Sequence, residues 1–216
     1  MGDVFVCNDV DVVRQIQTVL RAKIGDTARF FNETGERECI IEKIDKKELV
    51  CRVNAVITLH IPTKKVYLVQ SLIKKDKFEW VAQKCTELGV TDIIPVISER
   101  SEKRGLDEKR LQKIIIEATE QSGWGRVPTL HTITSLDEAL EKLTKEKVSI
   151  CTLDMDGKKE VASSKESVAL CVGPEGGWGE EDKKVFAKHK TLTISICRST
   201  LRAETAAIVG VYEFVK

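Results

Sequence analysis

The stretch Val168-Ala-Leu-Cys-Val-Gly-Pro-Glu-Gly-Gly-Trp-Gly179 joins an apolar run to four glycines in seven residues. The run Val168 to Val172 predicts a strand, and Gly173 to Gly179 predicts a loop leaving its end. Glycines let such a loop take positive φ and let its backbone approach a ligand closely. A single glycine here would mean an ordinary tight turn. This density at a strand end points to a ligand loop.

Working outward from it, strands and helices alternate. Val66 to Gln70 predicts a strand. Asp76 is placed to cap a helix with Phe78, Val81, Cys85 and Leu88 on its apolar face, and Gly89 to end it. Ile93 to Ile97 reads as a strand. Asp107 caps a helix carrying Leu111, Ile114, Ile115 and Ala118, and Ser135-Leu-Asp-Glu138 is a capping-box pattern opening another. Strands follow at Val148 to Leu153 and Leu192 to Ile196, with helices near Glu180 to His189 and Arg202 to Val215. This rhythm predicts an α/β domain with a parallel sheet and helices on both faces, whose ligands bind beyond the carboxyl ends of the strands.

Before Pro62 the pattern differs. Thr27 to Phe31, Glu38 to Ile44 and Leu49 to Val53 read as strands, separated by Asn32-Glu-Thr-Gly35 and Asp45-Lys-Lys, with one helical stretch at Val12 to Leu20. The expected division is a small β-rich domain over 1–62 and an α/β domain over 63–216.

Composition limits what the chain does. Of its 216 residues 42% are hydrophobic, enough for a real core, and 32% are charged with a net of +1. No global field advertises a nucleic-acid partner, so any RNA must be held by local patches. The seven cysteines contain no CxxC pair and mostly sit in apolar runs, which reads as buried thiols in a reducing cytoplasm. His60, His131 and His189 are scattered and read as surface or strand residues, so no metal site is expected. The N-terminus lacks a signal-peptide pattern, and no run approaches the roughly 18 apolar residues of a membrane span.

The ligand loop lacks both the GxxxxGK[ST] and the GxGxxG pattern, and Glu180-Glu-Asp182 opens the next helix. Three carboxylates there suit the helix dipole and repel a polyphosphate. A ligand without phosphate and with a positive centre fits better, and S-adenosylmethionine is one. A second segment, Ile196-Cys-Arg-Ser-Thr-Leu-Arg-Ala-Glu-Thr-Ala-Ala207, also runs from a strand into a helix. Taken alone, its Arg202 and Glu204 read equally well as a surface ion pair.

Together, Gly173-Pro-Glu-Gly-Gly-Trp178 and Leu201-Arg-Ala-Glu-Thr-Ala206 resemble the RsmE family, the 16S ribosomal RNA (uracil-N3)-methyltransferases of the SPOUT superfamily. Val19-Leu-Arg21 with Gly25-Asp26, Lys75 to Val90 with Glu87-Leu-Gly-Val90, Ser98-Glu-Arg-Ser101, and Glu117 to Gly123 with Val127-Pro128 match the same family in order. The resemblance implies a C-terminal SPOUT trefoil-knot α/β domain, a small N-terminal PUA-like β-barrel, and a homodimer. It also implies an S-adenosylmethionine-dependent reaction yielding 3-methyluridine in the small ribosomal subunit. Ile196-Cys197 stands where the family has Leu-Gly, and Trp124 where it has arginine.

The resemblance assigns the donor to Leu153, Gly173, Glu175, Gly176, Gly177, Ile196, Cys197 and Leu201. For catalysis, Arg202 is the candidate cation beside the uracil oxygens, and Glu204 or Glu175 would accept a proton or fix Arg202. Arg14, Arg21, Arg29, Arg100, Lys103 and Arg104 are the candidate RNA contacts. The residues themselves leave open a relative acting on another base or RNA, or a non-catalytic RNA-binding protein.

Overall fold

The computed structural model describes residues 3–32, 35–57, 64–101, 105–158 and 167–216. The chain forms two compact units, Met1–Ile61 and Pro62–Lys216.

In the first unit, β1 (Val4–Cys7), β2 (Thr27–Asn32), β3 (Gly35–Ile44) and β4 (Leu49–Ile57) form an antiparallel sheet of order β1-β4-β3-β2. Cys39, Ile41, Leu49 and Cys51 point to one face, where Val13 and Ile16 pack on them. The expected helix Val12 to Leu20 is two pieces: α1 (Val10–Arg14), capped by the Asp9 carboxylate, and a π-helical stretch Gln15–Val19. Strand β1 carries no sequence signal strong enough to predict it. The turn residues 33–34 and His60 lie outside the described residues, as does the expected 62/63 boundary.

The second unit is built on a parallel sheet of β5 (Val66–Ser71), β6 (Asp92–Ile97), β7 (Thr129–Leu130), β8 (Thr134–Ser135), β9 (Ser149–Lys158), β10 (Val168–Val172) and β11 (Leu192–Ile194). The order is β11-β9-β10-β5-β6-β7, with β8 also on β6. Alternation along β5 and β10 serves two cores. Val66, Leu68, Val168 and Leu170 meet the face covered by α2 (Lys75–Leu88) and α6 (Ala203–Val215). Tyr67, Val69, Ala169 and Cys171 meet the face covered by α4 (Leu136–Lys145) and α5 (Glu180–Lys188). A strand buried on both faces has no polar positions to spare, which is why these runs read as continuous apolar segments. Helix α3 (Glu108–Ser122) packs on α2.

The helix ends follow local chemistry. Asp107 accepts a hydrogen bond from the Arg110 amide, and Ser135 and Glu138 close a reciprocal capping box on α4. Asp76 does not cap α2. Lys74 holds that position without a side-chain cap bond, and Asp76 sits inside the first turn, where its charge still faces the positive helix end. Gly89 ends α2 at φ 96°, with its amide and that of Val90 returning to Thr86 and Cys85. A Cβ there would sit 2.6 Å from the Trp124 ring, whose Nε1 donates to the Glu87 carbonyl at 2.9 Å. The tryptophan that departs from the family pattern thus closes the carboxyl end of α2.

Two expectations follow. Gly89→Ala combines a left-handed φ with a steric clash, and should lower stability by about 1–3 kcal/mol in urea unfolding. The Glu138 carboxyl is pulled down to about 2 by the Thr134 hydroxyl first, then the Ser135 amide and hydroxyl. A lowered folded value means its stabilisation is present above the ordinary glutamate range and disappears as pH falls from about 4.5 toward about 2. The unfolding midpoints of wild type and Glu138→Ala should therefore differ at neutral pH and converge across that window.

Candidate functional site

Strand β9 is longer than expected and β11 shorter, and this difference builds the site. The chain leaves the sheet after Ile194, so Ser195 to Arg202 runs over the carboxyl ends of β9 and β10. A cavity of about 680 Å³ lies there, within the roughly 300–1,000 Å³ of small-molecule pockets. Four segments line it: Leu153 to Met155, Val172 to Trp178, Ile194 to Ala206, and Lys74 with Lys77 at the start of α2.

One close approach permits this route. A Cβ on Gly157 would lie 2.3 Å from the Ile194 carbonyl carbon. Strands β9 and β11 change register at the same place, where Ile194 moves opposite Lys158.

In the glycine-rich loop only Gly177 takes a positive φ, 68°, in a turn closed by its amide on the Pro174 carbonyl at 2.9 Å. The other glycines are small for reasons of space. Gly173 lies under the Trp178 ring, and a Cβ on Gly179 would meet the Glu99 carboxylate at 2.1 Å. Trp178 is nearly buried, stacks edge-on against Phe186 at 4.7 Å, and donates from Nε1 to the Leu153 carbonyl at 3.2 Å. That bond ties two cavity walls together.

Part of the anion-binding potential of α5 is already used within the protein. Asp182, 4% exposed, accepts from the Gly179 amide at 2.9 Å and the Glu99 amide at 3.1 Å, while Glu99 accepts from the Glu181 amide at 2.8 Å. Occupied amides, beyond charge repulsion alone, leave a poorer cradle for a polyphosphate at this end.

Leu153, Gly173, Glu175, Gly177, Ile196, Cys197, Leu201, Arg202 and Glu204 all line the cavity. Gly176 does not, and its carbonyl instead accepts from Arg100 Nη1 at 2.9 Å. Glu204 does not fix Arg202: its carboxylate pairs with Lys77 Nζ at 3.5 Å. The Arg202 guanidinium makes no ion pair with any described residue, and its backbone starts α6. Glu175 lies at the edge of hydrogen-bond reach from the Lys74 amide, at 3.5 Å.

Cys197 needs no glycine conformation, because its φ is not positive. Its thiol lies 3.2 Å from the Ser199 hydroxyl, which, with the amides of Ser199 and Arg198, holds it below the ordinary thiol range. The Thr200 hydroxyl reaches the Met155 sulfur at 3.7 Å. Lys74, Lys77, Asp154 and Met155 also line the cavity and were not singled out from the sequence, and Trp178 was quoted there only as part of the glycine-rich motif. Asp154 and Met155 simply continue past Leu153, whereas nothing local marks the two lysines, which reach the site from a different helix.

Arg14, Arg21 and Arg29 are exposed in the first unit, Arg21 at φ 53° and Arg29 in a long 3.9 Å pair with Glu38. Lys103 and Arg104 lie outside the described residues. His131 pairs with Asp92 at 2.9 Å, and His189, with a 7% exposed side chain, bridges Asp137 and Thr144. His189 is therefore a buried link between α4 and α5, not a surface residue. Among the described residues no cluster of His, Cys, Asp or Glu is placed to hold a metal, and no helix is long and apolar enough to cross a membrane.

A parallel sheet with a cavity over its carboxyl ends, in a chain that also carries a small antiparallel unit, is a plan that RNA methyltransferases share. The model of the RNA methyltransferase domain matches residues 60–212, and that of the RNA methyltransferase PUA domain matches residues 8–54. The ribosomal RNA small subunit methyltransferase E of Rickettsia conorii is 33% identical over 209 residues, covering 92% of this chain and 84% of the relative. The crystal structure of the protein of that name from Neisseria gonorrhoeae, bound to S-adenosyl methionine, superposes with a TM-score of 0.90 at 28% identity, covering 98% of this chain and 91% of the other. A Legionella pneumophila protein in complex with the same molecule gives 0.88 at 30% identity, covering 99% and 91%. The chain belongs to the ribosomal RNA small subunit methyltransferase E family. Its fold is the SPOUT α/β class with an N-terminal PUA domain, for which the resemblance implied a trefoil knot.

Gly157→Ala should drive β9 and β11 apart and lower stability by about 1–3 kcal/mol. Gly105→Ala, with nothing within 4 Å of its Cβ, should change urea unfolding by less than about 0.5 kcal/mol.

Proposed function

We propose that this protein transfers the methyl group of S-adenosylmethionine to N3 of a uridine in 16S ribosomal RNA. The observation that carries this reading is the cavity over the carboxyl ends of β9, β10 and β11, which unites both sequence segments and is lined by Arg202, a side chain with no ion pair among the described residues.

The residues present fit the donor. Leu153, Val172, Ile196 and Leu201 supply apolar walls for an adenine ring, and the backbone of Ile196, Cys197 and Leu201 offers amides and carbonyls to its edge. Gly173 and Gly177 let the loop lie close, with Glu175 and Gly176 shaping it. The donor supplies an electrophilic methyl on a cationic sulfur. Asp154 and Glu175, neither of which forms an ion pair among the described residues, are the carboxylates available to a positively charged sulfur.

Uracil N3 must lose its proton as it attacks. Arg202 would face the uracil oxygens and stabilise the charge that develops there. Lys77 keeps Glu204 from neutralising Arg202, so the guanidinium stays available. Glu204 is the candidate proton acceptor, since its carboxylate faces the same cavity. Orientation of the two reactants in one cavity supplies much of the remaining acceleration.

For the RNA, Arg14, Arg21 and Arg29 of the first unit and Arg100, Lys103 and Arg104 of the second would contact phosphates, with binding that weakens steeply with salt. The reading includes action in the cytoplasm and as a homodimer.

The test is transfer of labelled methyl from S-adenosylmethionine to small ribosomal subunits that lack the modification, with mass analysis of the nucleoside. The expected product is 3-methyluridine, and Arg202→Ala should turn over about 100-fold more slowly. A different methylated nucleoside would overturn the substrate assignment, and normal turnover in the variant would remove Arg202 from the mechanism.

A further inference from the structure

The segment Ser98 to Ser101 leaves the carboxyl end of β6 and stands outside the cavity, yet it holds the cavity's principal loop. Its own shape is fixed by Ser98. That residue is 5% exposed, its amide donates to Ser101 Oγ at 3.1 Å, and the two hydroxyls lie 2.9 Å apart. This tight turn touches the glycine-rich loop at one point and the start of α5, onto which the loop runs, at two. Arg100 Nη1 donates to the Gly176 carbonyl at 2.9 Å. The Glu99 carboxylate accepts from the Glu181 amide at 2.8 Å, and the Glu99 amide donates to Asp182, which also holds the Gly179 amide.

These bonds bracket the loop. Gly176 sits just before the positive-φ residue Gly177, and Gly179 just after Trp178, the side chain that joins the loop to Leu153. A Gly-rich loop has more backbone freedom to lose than any other, so its bound shape is costly to reach unless something outside the loop fixes it. The Gly179 position is shaped to the strap: any side chain there would overlap the Glu99 carboxylate.

We propose that Glu99 and Arg100 are positioning residues that hold the Gly173 to Gly179 loop in its ligand-binding shape, and that Arg100 acts first on donor affinity and not on RNA affinity. The inference rests on the reading of the cavity as the methyl-donor site. It assigns Arg100 a different duty from the phosphate contact its charge suggests. One N–H on Gly176 leaves the rest of the exposed guanidinium able to touch a phosphate.

The experiment is calorimetric titration of the full chain with S-adenosylmethionine in the absence of RNA. Arg100→Ala should raise the donor Kd about 10-fold, the scale of one charge-assisted hydrogen bond lost from a partly solvated site. Arg100→Lys, which retains a cationic donor group, should recover part of that loss, and Glu99→Ala should weaken the donor about 5-fold by untying the strap from the Glu181 amide at the start of α5, onto which the loop runs. Thermal unfolding without donor checks that the variants are folded. Should Arg100→Ala not fold, Arg100→Lys and Glu99→Ala carry the test. Donor Kd values within twofold of wild type in the folded variants would overturn the proposal. So would intact donor affinity together with weaker RNA binding and a salt slope reduced by about one, which marks a phosphate contact alone. Thr200→Trp, at an exposed position on the cavity wall, separates the two readings. If it leaves donor binding unchanged, the donor-site reading fails. If it blocks binding while Arg100→Ala does not weaken it, only the strap fails.

Discussion

The close passage of Gly157 against Ile194 is the constraint on which the site depends. Backbone meets backbone at a distance no side chain permits, and the segment after β11 is thereby brought over the carboxyl ends of its neighbours. The residues of that segment that line the cavity, from Ile196 to Glu204, reach it because the chain crosses there. A similar economy of space seats α6: a Cβ on Gly210 would lie 2.5 Å from Leu170, so the helix that begins at the cavity rests directly on β10.

Of the charged side chains that line the cavity, only Lys77 and Glu204 form an ion pair with each other; Lys74, Asp154, Glu175 and Arg202 form none among the described residues. The Asp182 and Glu99 carboxylates are used on backbone amides. The walls supply shape: Trp178 joins two segments through one hydrogen bond and an edge-on contact with Phe186.

Much of the fold was legible because it follows from local chemistry. The apolar run Val168 to Val172 is the strand itself, and Asp107, the Ser135 capping box and Gly89 mark helix ends by bonds to their own neighbours. The misses have physical causes. Asp76 carries a good capping side chain, but the cap position falls two residues earlier, at Lys74. The stretch Val12 to Leu20 has helical spacing without showing that its hydrogen bonds slip to π geometry after Arg14. Strand β1 is half-exposed on an edge, so its pattern is weak. In the site, the two segments were readable by glycine density and by resemblance, whereas Lys74 and Lys77 look like ordinary helix-start lysines.

The sequence by itself determined the alternation of strands and helices, the two-part organisation, the family, and the two segments that meet at the cavity, because each is encoded in residues close together along the chain. Only the tertiary structure decided what those segments do to each other. It showed that one loop glycine bends the backbone while others make room, that Lys77 and not Arg202 holds Glu204, and that Arg100 grips the loop from outside. Those outcomes depend on contacts between residues dozens of positions apart, and no local pattern carries the distance between them.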